Sequence, residues 1–185
     1  MKIRPLEHED EEIKTKVAEM LVQGFSDMSP NAWPNLKLAR EEVEESFGPG
    51  RMSYVALEGR KTLGWIGAIR QYSGNTWELH PLVVHKDHRK EGIGAALVIE
   101  LESRVADTGA LTLWLASDDE TGMTTLYGKE LYPDPMAKLK DIRNLRGHPY
   151  EFYEKLGFTL VGVLPDANGL GKPDIFMAKR VRKIR

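Results

Sequence analysis

The stretch that decides the fold is Leu82-Val83-Val84-His85-Lys86-Asp87-His88-Arg89-Lys90-Glu91-Gly92-Ile93-Gly94. Apolar residues end a strand, a charged turn follows, and Ile93, Leu97, Leu101 and Val105 then recur on one face of a helix spanning Gly92 to Asp107. Gly92 and Gly94 stand at the helix start, where the lack of a Cβ lets a bulky anion approach the backbone. The first helical N–H groups have no intrahelical partner, and the helix dipole is positive at that end. The pattern offers a pyrophosphate site built mainly from backbone amides, with Arg89 and Lys90 adding charge at its mouth; on the two glycines alone, a flexible strand-to-helix connection is the leading alternative. No Gly-Lys-Ser/Thr ending makes it a nucleotide-triphosphate loop. Leu97 at the third glycine position excludes the full dinucleotide fingerprint.

Upstream, Lys2–Arg4 reads as a strand, Asp10 to Phe25 as a helix, Ser26 to Pro34 as a loop and Leu38 to Phe47 as an acidic helix stopped by Gly48-Pro49-Gly50. Strands are expected at Ser53–Leu57, Thr62–Tyr72 and Thr76–His85, the first two joined as a hairpin through Glu58-Gly59-Arg60-Lys61. Downstream, Leu111–Ala116 is a buried strand. Ser117 to Pro149 is too long for a structureless loop in a compact domain and predicts a functional insertion with a helix at Met136–Leu145. Tyr150–Leu156 is a short helix, and Gly157–Leu164 and Lys172–Arg180 are strands. The order gives an α+β class with a mixed sheet in a single domain over residues 1–185.

The 185 residues suit one core, and a net charge of −2 supplies no basic field for nucleic acid. The basic run Lys179–Arg185 is expected to be a solvated tail. No cysteine is present, so disulfides, thiolate metal sites and a cysteine nucleophile are excluded, in keeping with a reducing cytoplasm. No apolar run reaches membrane-spanning length, and the charged start is not a signal peptide. His85 and His88 face each other across a turn without a third ligand, so no metal is expected.

Two ionisable residues, Glu78 and His80, interrupt the apolar strand just before the turn. Alternation along an extended strand places Glu78, His80, Leu82 and Val84 on one face. Glu78 is the first candidate for general base and His80 the second. The alternatives are an edge carboxylate for Glu78 and a hydrogen-bonded structural histidine for His80. Asp118 and Asp119, just past the strand Leu111–Ala116, are candidates to bind a cationic acceptor. The acidic run Glu41–Glu45 is read as a solvated helix face. Trp33 lies in the early loop and is expected to line a pocket or an interface if it is not core.

Arg89-x-x-Gly92-x-Gly94 after Leu-Val-Val resembles the acyl-CoA motif of the GNAT superfamily of N-acetyltransferases. Tyr153-x-x-x-Gly157-Phe158 falls where that family carries a tyrosine near the CoA sulfur. Four further stretches, Trp77–Val84, Asn144–Tyr153, Val161–Gly169 and Lys172–Lys179, resemble the aminoglycoside 6′-N-acetyltransferases. The likeness runs from about Ser53 to Lys179 and is loose before that.

The resemblance implies the GNAT acyl-CoA N-acyltransferase fold, a mostly antiparallel sheet with a splayed central strand pair and flanking helices. It implies acetyl-CoA as co-substrate, with the pyrophosphate on backbone amides of Arg89, Lys90, Glu91, Gly92, Ile93, Gly94 and Ala95. The pantetheine arm would lie along Leu82, Val83 and Val84. Pro81 suits the splay, which would free the Leu82 N–H for the thioester oxygen. Tyr153, with Tyr150 as the neighbouring alternative, would protonate or orient the leaving thiolate. The expected chemistry is direct attack by a primary amine in a ternary complex, most simply the 6′-amine of an aminoglycoside antibiotic. A homodimer is implied too, and the apolar strand Ile175–Ala178 is a candidate sheet edge for it. The competing expectations are a polyamine, peptide or protein amine as acceptor, or a non-catalytic acyl-CoA sensor.

Overall fold

The computed structural model describes residues 1–182 of the 185; the end of the basic tail, Lys183–Arg185, lies outside the described residues. The chain forms two compact units. The first comprises Met1–Ser26, Pro30–Leu113 and the segment from Arg180 on; the second comprises Asp27–Ser29 and Trp114–Lys179.

The first unit is built on four antiparallel strands in the order β1 (Lys2–Pro5), β2 (Arg51–Glu58), β3 (Lys61–Gln71) and β4 (Thr76–Val84). Helix α1 (Glu11–Phe25) buries Val17, Ala18 and Leu21, and its first turn carries Glu11 and Glu12, which complement the helix dipole. Helix α2 (Leu36–Glu45) starts where the Asn35 side chain accepts the Leu38 N–H at 3.1 Å, an N-cap that satisfies an otherwise orphaned donor. α1 and α2 join Val55, Trp65 and Val83 in one core cluster. Leu21 and Trp65 are fully buried there, each such apolar side chain contributing on the order of 1.5–3 kcal/mol. The two helices are tied by Lys14, whose Nζ lies 2.6 Å from Glu11 and 2.7 Å from Glu44 and donates to the His8 carbonyl at 3.0 Å.

Helix α3 (Ile93–Asp107) buries the expected Ile93, Leu97, Leu101 and Val105. It packs closely on β3: a Cβ on Gly64 would sit 2.9 Å from the Leu97 side chain and 3.2 Å from Ile93.

β3 and β4 do not pair evenly. Ile66 lies opposite Leu82 and Ala68 opposite Leu79, so Gly67 alone faces the two residues His80 and Pro81. β4 therefore carries a one-residue bulge. A bulge shifts the side-chain alternation, and this corrects the expected common face for Glu78, His80, Leu82 and Val84. Val83 stands opposite Trp65 in the α1–α2 core, and His80 lies against Trp33 of the same cluster. Val84 stands opposite Gly64, the residue against α3. Glu78 and His80 thus share the α1–α2 face, and Leu82 and Val84 take the other.

In the second unit, β7 (Asp174–Arg180) lies between β5 (Thr112–Asp118, which enters this unit at Trp114) and β6 (Thr159–Leu164), pairing antiparallel with β6. The edge strand is β6, not the Ile175–Ala178 strand, whose Ile175 and Met177 are fully buried. The segment between Ser117 and Pro149 is ordered, as expected, but differently. The helix read at Met136–Leu145 is shorter, α4 (Pro135–Lys140), capped by the Asp134 carboxylate on the Ala137 N–H. Beyond it Asn144 bridges to Thr124, and Arg143 donates its N–H to the Thr125 hydroxyl, so these residues leave the helix for β-like pairing.

Candidate functional site

The turn between β4 and α3 has the geometry that its sequence predicts. Gly92 caps α3 in the left-handed conformation, at φ 83°, and no side chain caps the helix. The first helical bond runs from the Ala96 N–H to the Gly92 carbonyl at 3.0 Å, so the amides of Ile93, Gly94 and Ala95 come before it. A Cβ on Gly92 would meet nothing within 4 Å. An uncapped 15-residue helix with open space at its positive end fits a pyrophosphate. The neighbouring side chains are partly engaged elsewhere: the Arg89 guanidinium donates to the Gly24 carbonyl at 3.1 Å, and Glu91 pairs with His88 at 3.0 Å. Lys90 is exposed at φ 67°. Anion affinity here falls chiefly to backbone groups.

On the α1–α2 face of β4, Glu78 accepts from the Gln71 side chain at 3.2 Å. His80 keeps 41% of its side chain exposed, and its Nε2 is 3.8 Å from Glu42 Oε1. Its ring centroid is 5.9 Å from that of Trp33. Burial works against the His80 cation, but pairing with Glu42 and the charge of Glu78 outweigh it and raise the imidazole above its ordinary value. Burial likewise pushes the Glu42 carboxyl up, yet pairing with His80, with help from Arg51 and the Trp33 indole, holds it below its ordinary value. Each group thus favours the charged form of the other.

Glu42 is the residue that reading Glu41–Glu45 as a solvated face missed. Its side chain is only 17% exposed, against 52% for Glu41 and 66% for Glu45. The signal was present in the spacing: the buried residues of α2 and its cap are Ala39, Val43 and Ser46, and Glu42 falls inside that stripe.

Leu82 lies just past the bulge, opposite Ile66, with Val83 buried next to it. Among the described residues, no group of three His, Cys, Asp or Glu side chains is placed to hold a metal. Among the described residues no helix is long and apolar enough to cross a membrane. The His85 and His88 rings lie 5.6 Å apart. They border a cavity of about 680 Å³ with Arg4, Lys16, Arg60 and Lys61, which includes neither Glu78 nor His80.

In the second unit, Tyr153 sits on α5 (Tyr150–Lys155), 7% exposed and edge-on to Phe152 and Phe158. Burial pushes its phenol well up, so it stays protonated throughout the neutral range. Tyr150 is also raised, by burial first and then by the charges of Glu151 and Glu154, against an opposing backbone hydrogen bond from Asn144.

Asp118 and Asp119 part company. Asp119 is fully buried, and its two oxygens accept from the Met123 N–H at 2.7 Å, the Thr124 N–H at 2.8 Å and the Thr124 hydroxyl at 2.7 Å. It organises the turn and is withdrawn as an acceptor ligand. Asp118 is half-buried and is held by Asn168 at 2.7 Å and Ser29 at 3.3 Å. Beside it, the buried His148 faces the Asp118 carbonyl at 3.1 Å through Nε2 and accepts the Tyr150 N–H at 3.2 Å through Nδ1. No local pattern around His148 marks that contact, which depends on the distant Asp118.

A model of the acetyltransferase (GNAT) family matches residues 18–131, a span that contains the β4–α3 turn together with Glu42, Glu78 and His80. Among solved structures, an aminoglycoside 6′-N-acetyltransferase complexed with coenzyme A is 42% identical at a TM-score of 0.90, covering 100% of this chain and 99% of its own. The aminoglycoside 6′-N-acetyltransferase from Enterococcus faecium is also 42% identical, at a TM-score of 0.88 and the same coverage. An aminoglycoside 6′-acetyltransferase type Ii is 36% identical, at a TM-score of 0.76, with both chains fully covered. Among curated proteins no match is found. With the family matched across the turn and β4, and the likeness extending over the full length, the chain belongs to the GNAT acetyltransferase family and has its fold.

Proposed function

We propose that the protein transfers the acetyl group of acetyl-CoA to the 6′-amine of aminoglycoside antibiotics, conferring resistance from the cytoplasm as a homodimer. The observation that most supports this reading is the full-length likeness, at 42% identity, to an aminoglycoside 6′-N-acetyltransferase bound to coenzyme A. The uncapped start of α3 supplies amides for the cofactor's pyrophosphate, from Arg89 to Ala95. Acetyl-CoA, when bound, supplies the activated acyl group. The chain's own residues must hold the amine, take its proton and return one to the leaving sulfur.

Glu78 is the base in this reading. It is a carboxylate on the α1–α2 face of β4, and a polycationic acceptor is drawn to the Glu42–Glu78 pair of carboxylates. His80 lies beside it as the second proton-handling group. Leu82, past the bulge, offers its backbone N–H to the acyl oxygen. Tyr153 is the thiolate's partner in this reading: its buried phenol stays protonated at neutral pH and so keeps a hydrogen to donate to the leaving sulfur. Asp118 is kept as a candidate ligand for a second ammonium group of the acceptor.

Free-thiol release from acetyl-CoA, with kanamycin, spermidine and a lysine peptide in parallel, tests the proposal. Kanamycin should be turned over well ahead of the others, with acetylation at the 6′-nitrogen by NMR of the product. Glu78→Gln should lower kcat by about 10²–10⁴-fold, the usual worth of a positioned base. Turnover confined to spermidine or peptide would overturn the drug assignment and leave the family; sedimentation showing only monomer would remove the dimer.

A further inference from the structure

Helix α2 carries one glutamate turned away from solvent. Glu41 and Glu45 on either side are more than half exposed, whereas Glu42 is 17% exposed with its Oε1 3.8 Å from His80 Nε2. At that distance the attraction is between charges rather than through a short hydrogen bond. A carboxylate is costly to withdraw from water, so it persists where opposite charge and donors meet it. Glu42 meets three such groups: His80 from β4, Arg51 from β2 and the Trp33 indole N–H from the loop before α2.

The helix that presents Glu42 is pinned on both sides. Before it in space stands the Lys14–Glu44 pair at 2.7 Å, with Lys14 buried. One turn further along, the Ser46 hydroxyl donates to Val43 O at 2.6 Å and lies 3.0 Å from the Ser53 hydroxyl, which also accepts the Trp65 indole N–H at 2.8 Å. These bonds hold α2 to α1 and to β2, so Glu42 is held in place rather than free to swing as a surface glutamate does. On the other side the Trp33 ring, buried and edge-on to Phe25 at 4.6 Å, flanks the imidazole. His80 is thus gripped on one edge and one side while 41% of it stays open.

We propose that Glu42 is a positioning residue for the transfer reaction: its carboxylate fixes the His80 ring with Nε2 turned toward α2, leaving Nδ1 as the ring nitrogen offered to the acceptor amine. When His80 gives up one proton, the proton that remains is kept at Nε2 by the facing carboxylate, and the Nδ1 lone pair is free. Nδ1 then accepts a hydrogen bond from the neutral acceptor amine and aims its lone pair, while Glu78, on the same side of β4, takes the proton that the nitrogen loses as its bond to the acyl carbon forms. The charged groups around His80 are Glu42 on α2, Arg51 on β2 and Glu78 on β4, and only Arg51 opposes its protonation. This inference rests on the acetyltransferase reading of that face, but the Glu42–His80 link is measurable without turnover.

The experiment is an NMR titration of the His80 imidazole in the full-length protein, for wild type, Glu42→Gln and Glu42→Asp, run beside kcat and KM against pH with kanamycin. Glu42→Gln should lower the His80 midpoint and cut kcat by about tenfold while KM changes less, a loss of the size expected when the attacking amine is misaligned rather than unbound. Glu42→Asp, which keeps the charge, should recover part of both. An unchanged His80 midpoint in Glu42→Gln overturns the proposal. So does a lowered midpoint with kcat intact. Should Glu42→Gln fail to fold, Trp33→Phe, which removes the indole N–H from Glu42 and keeps an aromatic ring, is read by the same criteria. If wild type turns over no amine, the functional reading fails by itself, and the midpoint still decides whether Glu42 governs His80.

Discussion

The indole of Trp33 stands 5.9 Å from the imidazole of His80, centroid to centroid, at an interplanar angle of 43°. Trp33 is 8% exposed, so it is both a wall for His80 and part of the α1–α2 core. Trp33→Ala should destabilise the fold by about 3–5 kcal/mol, the range for truncating a buried large aromatic. Trp33→Phe should cost far less in urea unfolding and still weaken substrate turnover, because the ring survives and the indole N–H does not. Equal losses in both variants would reduce Trp33 to packing alone.

Gly67 is the tightest point of the site's scaffold. A Cβ there would come within 2.5 Å of the His80 carbonyl oxygen, a rigid backbone atom. Gly67→Ala should therefore shift the bulge, destabilise the protein and lower activity together. Gly92→Ala meets no atom and strains only its own left-handed backbone, at roughly 1–2 kcal/mol. Comparative melting of the two variants, with a thiol-release assay, checks the ordering; a benign Gly67→Ala would contradict it.

The two tyrosines of α5 separate by their surroundings: burial alone raises Tyr153, whereas the charges of Glu151 and Glu154 add to burial at Tyr150. Tyr153→Phe should leave folding nearly unchanged, since Phe152 and Phe158 still pack on the ring, and should reduce kcat by about a hundredfold if the phenol is the acid. Tyr150→Phe should change stability little and spare kcat, its ring contact with His148 being kept. The reverse outcome would move the acid role to Tyr150.

Two histidines bend the stability curve in opposite directions. His148 is nearly fully buried and burial lowers its value, despite the charges of Asp119 and Asp118 and the bond to the Asp118 carbonyl. The unfolded chain then takes up that proton first, so stability from this group is full above 6.5 and declines as pH falls toward the lowered folded value. His80 is raised, so its contribution is full below 6.5 and is lost as pH rises through the folded value. Glu42 is lowered, so its contribution is present above 4.5 and is lost on acidification through its folded value. The Glu42–His80 pair is therefore complete between 4.5 and 6.5, and urea titrations of Glu42→Gln should differ most from wild type there. A pH-independent difference would mean that the two groups do not titrate as a pair.

Much of this protein was legible in its sequence because the signals were local. Helix α3 showed itself through the Ile93–Leu97–Leu101–Val105 period and its entry through Gly92 and Gly94. The strand that carries Glu78 and His80 was found for the same reason. What escaped was set by pairing between distant segments. The face of His80 depends on how β4 aligns with Gly67, thirteen residues earlier, and no single-strand alternation contains that. Glu42 was lost because four glutamates in five residues look like a solvated face until the helix phase is compared with Ala39 and Val43. Asp119 was over-read for a matching reason: a carboxylate beside a strand end resembles a ligand, and only the fold of Met123 and Thr124 back onto it shows a turn-capping role.

The extra residue in β4 has a consequence for anyone redesigning this sheet. A strand of unbroken alternation would be the easier object to stabilise, and deleting Pro81 would give Gly67 a single partner and a tidier ladder. It would also invert every residue on one side of the deletion relative to the other. Either Glu78 and His80 would be turned from Glu42 and Trp33, or Val83 and Leu82 would trade places between helix-facing surfaces. The irregularity sets Glu78 and His80 on one surface and Leu82 and Val84 on the other, and a sheet made more regular would be a sheet that had lost that division.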